Sequence, residues 1–389
     1  VGYNEIFELG QSAWAGADCE TRPDNSKGQN DGITVINNAG QSIGQESNSF
    51  IKHAGKSGIR QITAVTDYIT ALCEHEGISS DKLWLPPIPD TIYADEISEK
   101  YHLTYDPYHV TAVIGEYDIP QKQQQNILTL SAQDGNILVY GSAGTGKTTF
   151  LVAFIYGIVS HYSPERAVFY ILDFASGTLK AFEGYNSVGA VITSTETDAV
   201  ENLFRYLMNE MELRRSKIAQ NGGDYSEYFR SNNDMPAIHL VIANYGAFQE
   251  TYEMYEDMIA TLSRDGSKCG IFLVMTVPTV SGVKYRISQN FSNVFALNLI
   301  DEGYSSILSG NNKITPGKSK GRGLCRSDDN IYEFQTAYMT NGNVFDMIRE
   351  NRDRINSSGA GCAYKIRVLP PEFTVQDAIS CTTDIAMPV

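Results

Sequence analysis

The sequence predicts an α/β fold: a mostly parallel central sheet flanked by helices, a late β-hairpin, and an N-terminal extension ahead of the sheet. Three observations predict it. From about Val110 onward, short apolar runs of strand length alternate with longer segments of helical period, and strands joined through helices lie parallel in one sheet. The run Gly141-Ser142-Ala143-Gly144-Thr145-Gly146-Lys147-Thr148 matches G-x-x-x-x-G-K-[ST] and falls between one such strand and one such helix. The 389 residues are 42% hydrophobic and 20% charged, a globular composition with length for more than one domain.

Taken in order, the first elements belong to the extension. Residues 1–16 carry Ile6, Phe7, Leu9 and Trp14, enough apolar surface for a short packed helix. Residues 17–55 are rich in Gly, Asn, Ser and Asp and read as loop or linker. Residues 57–76 are a helix candidate, with Ile59, Ile62, Val65, Ile69 and Leu72 on one face and Gly77 as its stop. The proline-rich run 84–89 makes a rigid extended connector. The strands of the sheet are expected at 136–140, 167–174, 238–245, 271–277 and 294–299. A helix from 149 to 160 follows the glycine-rich loop. The strongest helical period in the chain is Val200, Leu203, Phe204, Leu207 and Met211, closed by Asn221-Gly222-Gly223. A weaker helix is expected over 251–264 before Gly266, and a hairpin over 321–326 and 331–337. The chain reads as irregular from Ser357 onward.

The loop motif has a direct physical reading. Its glycines let successive backbone N–H groups turn inward around an anion, Lys147 reaches the outer phosphates, and the helix behind points its positive end at them. Residues Gly141, Ser142, Ala143, Gly144, Thr145, Gly146, Lys147 and Thr148 are therefore the expected phosphate-binding set. Thr148 is the expected magnesium ligand through its hydroxyl, and the cofactors are ATP and Mg2+. An active site of this kind also needs a carboxylate at the end of a further strand, to orient the magnesium's water shell and polarise the attacking water. In the candidate strand, Ala243 and Asn244 stand where Asp and Glu are expected. Asp173, ending the preceding strand, and Thr276, ending the following one, are the remaining catalytic candidates with Asn244; none is assigned firmly. The sequence thus predicts nucleotide binding with weak or absent hydrolysis.

The formal net charge is −16, and the first hundred residues, with 15 acidic and 7 basic side chains, hold half of it. Nucleic-acid binders carry a basic face, so the charge argues against that class. The six cysteines and six histidines are dispersed without metal-ligand spacing, and no run of about 18 apolar residues spans a membrane.

Several stretches together resemble the FtsK/SpoIIIE-type ATPases, and more narrowly the EssC/YukB family of the type VII secretion system. They are Ile114-Gly115-Glu116-Tyr117-Asp118-Ile119-Pro120-Gln121 with Gln123-Gln124-Gln125, Tyr170-Ile171-Leu172-Asp173-Phe174, Glu212-Leu213-Arg214-Arg215, and Gly321-Arg322-Gly323-Leu324 through Ala337. Asn4 to Leu9 with Trp14, and Leu83-Trp84-Leu85-Pro86-Pro87, resemble the end of a preceding module. The resemblance implies a RecA/FtsK-like nucleotide-binding fold over 101–389, with 1–100 the C-terminal part of a preceding ATPase module plus linker. It implies a cytosolic C-terminal piece of a motor anchored in the bacterial membrane through a segment outside this chain. Its implied partners are secreted WXG-type substrates and other modules of the same motor, in a hexamer for the full-length protein. The alternative within the wider family is a DNA-translocating motor. Arg264, Arg286 and Arg322 are candidates for an arginine supplied to a neighbouring subunit's site, and none is given that role.

Overall fold

A computed structural model describes residues 16, 38, 58–78, 85–131, 133–231, 235–300, 303–308, 314–327, 330–357, 359 and 361–368. The helix expected over 1–16 lies outside these residues, as does most of 17–55. The chain divides into two units, Val1–Leu83 and Trp84–Val389.

The first unit's described helix is α1, Gln61–Glu76, ending at Gly77 as the sequence predicts. Its apolar stripe is exposed: Ile62, Val65 and Ile69 each keep about half their surface. The helical period is present, but no residue of α1 is buried.

The second unit opens with the proline-rich connector and α2, Ala94–Lys100. Among its described residues the ten strands are β1 Thr111–Ile119, β2 Gln124–Ser131, β3 Ile137–Tyr140, β4 Ala167–Asp173, β5 Val188–Thr193, β6 Ala237–Ala243, β7 Ile271–Val277, β8 Asn293–Leu297, β9 Arg322–Ser327 and β10 Asn330–Thr336. They form one sheet in the order β2-β1-β10-β9-β8-β3-β7-β6-β4-β5. The run from β8 to β5 is parallel. The late hairpin β9–β10 and the hairpin β1–β2 extend it antiparallel. The remaining helices are α3 Lys147–Val159, α4 Thr197–Gln220, α5 Tyr225–Ser231, α6 Tyr245–Thr251, α7 Glu256–Asp265, α8 Tyr285–Ser288, α9 Tyr304–Ile307 and α10 Val344–Ser357.

The central strands are apolar throughout because both faces are covered. In β3, Ile137 and Val139 join α3's Phe150, Phe154 and Ile158 in one core. Leu138 and Tyr140 face the opposite core, with Val200, Leu203, Phe204 and Leu207 of α4 and Ile259 of α7. The period of two along the strand thus assigns alternate side chains to two layers of helices. Phe204, fully buried, stacks on Tyr255 with ring centroids 4.7 Å apart.

Three expectations need correction. The strand expected over 238–245 stops at Ala243, because Asn244 adopts left-handed backbone with φ 67°. The helix expected over 251–264 starts later: Thr251 closes α6, a 3-10 turn follows over Glu253–Tyr255, and α7 begins at Glu256. The helix expected from 149 begins at Lys147. The sequence pattern does not announce α2, β1, β2, β5, α5, α6, α8, α9 or α10.

Candidate nucleotide site

Ligands of parallel α/β sheets bind beyond the carboxyl ends of the strands, and the predicted residues gather there. The loop after β3 runs between the ends of β7 and β8. The N–H of Gly141 donates to the carbonyl of Val277 (3.0 Å) and that of Ser142 to the carbonyl of Asn298 (2.8 Å). The Ser142 hydroxyl accepts from the N–H of Ile300 (3.0 Å), while the Thr145 hydroxyl closes the loop onto the Ser142 carbonyl (2.9 Å). Gly144 and Gly146 take positive φ, 78° and 110°. Among the described residues, the N–H groups of Gly144, Gly146, Lys147 and Thr148 have no backbone acceptor. These are the orphan donors of a helix start, left for an anion.

Lys147 is partly buried and its Nζ turns into the loop, donating to the carbonyls of Gly141 (2.5 Å) and Ser142 (2.7 Å). Burial lowers its pKa from the ordinary lysine value. An incoming phosphate competes with those two carbonyls for the ammonium and supplies a stronger, charged acceptor. Thr148 stands in the first turn of α3, and its hydroxyl makes no hydrogen bond among the described residues. The donor set fits a phosphate chain. It also fits a magnesium ion held by one protein hydroxyl, with phosphate oxygens and water completing its shell, as that ion prefers.

The other candidates lie along the adjoining strand ends. In register, Val139 pairs with Thr276 on β7, Ile242 with Met275, and Ala243 with Asp173 on β4. Thr276 is buried, and its hydroxyl accepts from the N–H of Asn244 at 2.8 Å. The Asn244 side-chain amide donates to the Phe174 carbonyl at 3.3 Å. Asp173 is also buried; its two oxygens accept from the N–H groups of Ala175 (3.1 Å) and Leu179 (3.0 Å). Asp173, Asn244 and Thr276 therefore form a contiguous polar row, joined to one another's loops. Two strand spacings, about 10 Å, separate β6 from β3.

The three arginines are engaged elsewhere. Arg264 pairs with Asp265 (2.8 Å), and Arg286 with Glu256 and Asp257. Arg322 is buried, donating to the Ile88 carbonyl (2.7 Å) and Asp90 (3.0 Å). The sequence reading missed the contact between the late hairpin and the phosphate loop. The N–H of Gly321 donates to the Thr145 carbonyl at 2.8 Å, and a Cβ on Gly146 would lie 2.7 Å from the Gly321 nitrogen. The G-R-G run at 321–323 was its only trace in the sequence.

Comparison with known proteins gives a consistent result. Residues 100–309 match the model of the FtsK/SpoIIIE family. The chain is 28% identical over 348 residues to the type VII secretion system protein EssC of Staphylococcus aureus, covering 87% of this chain and 23% of EssC. It thus spans about a quarter of the length of the curated relatives it matches. Among solved structures, ATPases 2 and 3 of EssC from Geobacillus thermodenitrificans superpose with a TM-score of 0.69 at 22% identity, over 77% of this chain and 58% of that one. ATPases 2 and 3 of EccC from Thermomonospora curvata, in complex with a signal sequence peptide, give 0.64 at 24% identity, over 74% and 56%.

Proposed function

Since the chain belongs to the FtsK/SpoIIIE family, we propose that it is an ATP-binding module of a type VII secretion motor, with weak or absent hydrolysis of its own. The observation that carries this reading is the pairing of a complete phosphate loop with Ala243 and Asn244 at the strand end where acids are needed. Gly141 to Thr148 hold the triphosphate, with Thr148 toward magnesium. Asn244 orients water or backbone without accepting a proton. ATP then acts by favouring one conformation or one contact between modules rather than as fuel.

The module recognises export substrates of the WXG type and contacts other modules of the same motor. The EccC relative carrying a signal sequence peptide supports that reading. The motor works as a hexamer at the cytoplasmic side of the bacterial membrane, attached through a segment outside this chain. No described helix is long and apolar enough to cross a membrane. The net charge of −16 sets the module against duplex DNA as its cargo.

A turnover assay tests the catalytic half. Purified protein with ATP and magnesium should release phosphate slowly, at most slightly faster than the Lys147→Ala variant; brisk turnover abolished by Lys147→Ala would overturn the reading. Titration with a C-terminal signal peptide, with and without ATP, tests the recognition half. Tighter peptide binding in the presence of ATP is expected, and equal affinity in both would contradict the proposed linkage.

A further inference from the structure

The segment leading into β9 carries a lysine to the phosphate loop. Gly146 and Gly321 meet backbone to backbone, both at positive φ (110° and 84°), where any side chain would collide. The same Cβ placed on Gly146 would lie 3.6 Å from Cγ of Lys320, so the Lys320 stem runs beside the last glycine of the loop. This placement is set by the hairpin's own core. Fully buried Gln335 donates from its side-chain amide to the Lys320 carbonyl (2.9 Å), and Thr336 donates to the Gly321 carbonyl from both its N–H and its hydroxyl (2.9 Å each). On the far side, the Asn298 amide donates to the Gly317 carbonyl (2.6 Å), tying the same segment to the exit of β8. The Lys320 side chain is exposed and makes no ion pair among the described residues.

We propose that Lys320 is a second phosphate-binding lysine of this site, acting in the same chain as Lys147. The proposal rests on the nucleotide-binding reading above and adds a residue that the loop motif does not contain. A polyanion approaching a chain of net charge −16 meets an adverse field, and a flexible ammonium at the loop's rim counters it locally. Lys147 holds the phosphates from inside the loop, whereas Lys320 reaches them from the hairpin. The hairpin thereby senses whether the phosphate chain is present.

Calorimetric titration with ATP, ADP and AMP, each with magnesium, tests this on the wild type and on Lys320→Gln, Lys320→Arg and Lys122→Gln. Lys122 is an exposed lysine in the turn between β1 and β2 and controls for net charge. Lys320→Gln should weaken ATP about tenfold, the low end for a charged hydrogen bond at a partly exposed site. AMP affinity and the melting temperature without nucleotide should stay unchanged, Lys320→Arg should retain most of the ATP affinity, and Lys122→Gln should match the wild type. An ATP affinity for Lys320→Gln within twofold of the wild type overturns the assignment and leaves the nucleotide-binding reading standing. An equal loss in Lys122→Gln overturns it in the same way. A wild type that binds no nucleotide removes both.

Discussion

Asp173, Asn244 and Thr276 show how residue identity and backbone geometry combine at the strand ends. The Asp173 carboxylate accepts two backbone N–H groups of the loop that follows β4, a stabilising use of a buried charge. Asp173→Asn keeps one acceptor oxygen and loses the charge, so it should cost about 1–2 kcal/mol in denaturant unfolding. Asn244 occupies left-handed backbone, which Asn tolerates better than most side chains. The double substitution Ala243→Asp, Asn244→Glu should raise ATP turnover above that of the wild type. It should also lower the melting temperature by a few degrees, since Glu at φ 67° costs about 1 kcal/mol and Asp at 243 stands in register beside Asp173. Unchanged turnover in a folded double variant would contradict the view that the missing acids limit hydrolysis. The glycine-rich loop between β3 and α3 was legible because its signature is local, eight consecutive residues. The row of Asp173, Asn244 and Thr276 was legible only as three strand ends, because the hydrogen bonds joining them cross three strands.

At the scale of elements, the break between α6 and α7 turns on Glu256. This buried carboxylate opens α7 and receives Lys284 (2.7 Å), Gln249 (3.1 Å) and Arg286. It thereby ties α6, α7 and the start of α8 together. The Lys284 hydrogen bond, with those of Arg286 and Gln249, holds its pKa below the ordinary glutamate value of 4.5. A carboxylate with a lowered folded pKa contributes stability that is full above about 4.5 and is lost as pH falls through the lower folded value. Melting temperatures measured from pH 6 down to pH 3 should therefore fall less steeply in Glu256→Gln, from a lower plateau; parallel curves would contradict the role given to the carboxylate. In the core, Phe204→Ala should cost about 3–5 kcal/mol, because its ring is fully buried against Tyr255 and Phe248. Elements were readable where burial is complete on both faces, as in β3, β4, β6 and β7, or where the apolar stripe is long, as in α4. The reading failed at β1–β2, whose turn and second strand are polar and half exposed, and at α10, where only Ile348 and Ile355 are buried among charged residues. For α1, periodicity showed which face is apolar but carried no information about what covers it.

At the scale of the whole molecule, an FtsK/SpoIIIE-family chain pairs a glycine-rich phosphate-loop motif with a β6 end that carries Ala243 and Asn244 instead of acids. The sheet brings the loop, the polar strand ends and the late hairpin to one edge, although they are far apart in the chain. That convergence depends on β7 standing between β3 and β6, an order set by tertiary packing that no stretch of sequence announces. The most direct test is an isothermal titration of the purified chain with ATP and magnesium, paired with the Lys147→Ala variant. One saturable site is expected in the wild type and none in the variant. No binding heat in the wild type at millimolar ATP, in protein shown to be folded, would contradict it.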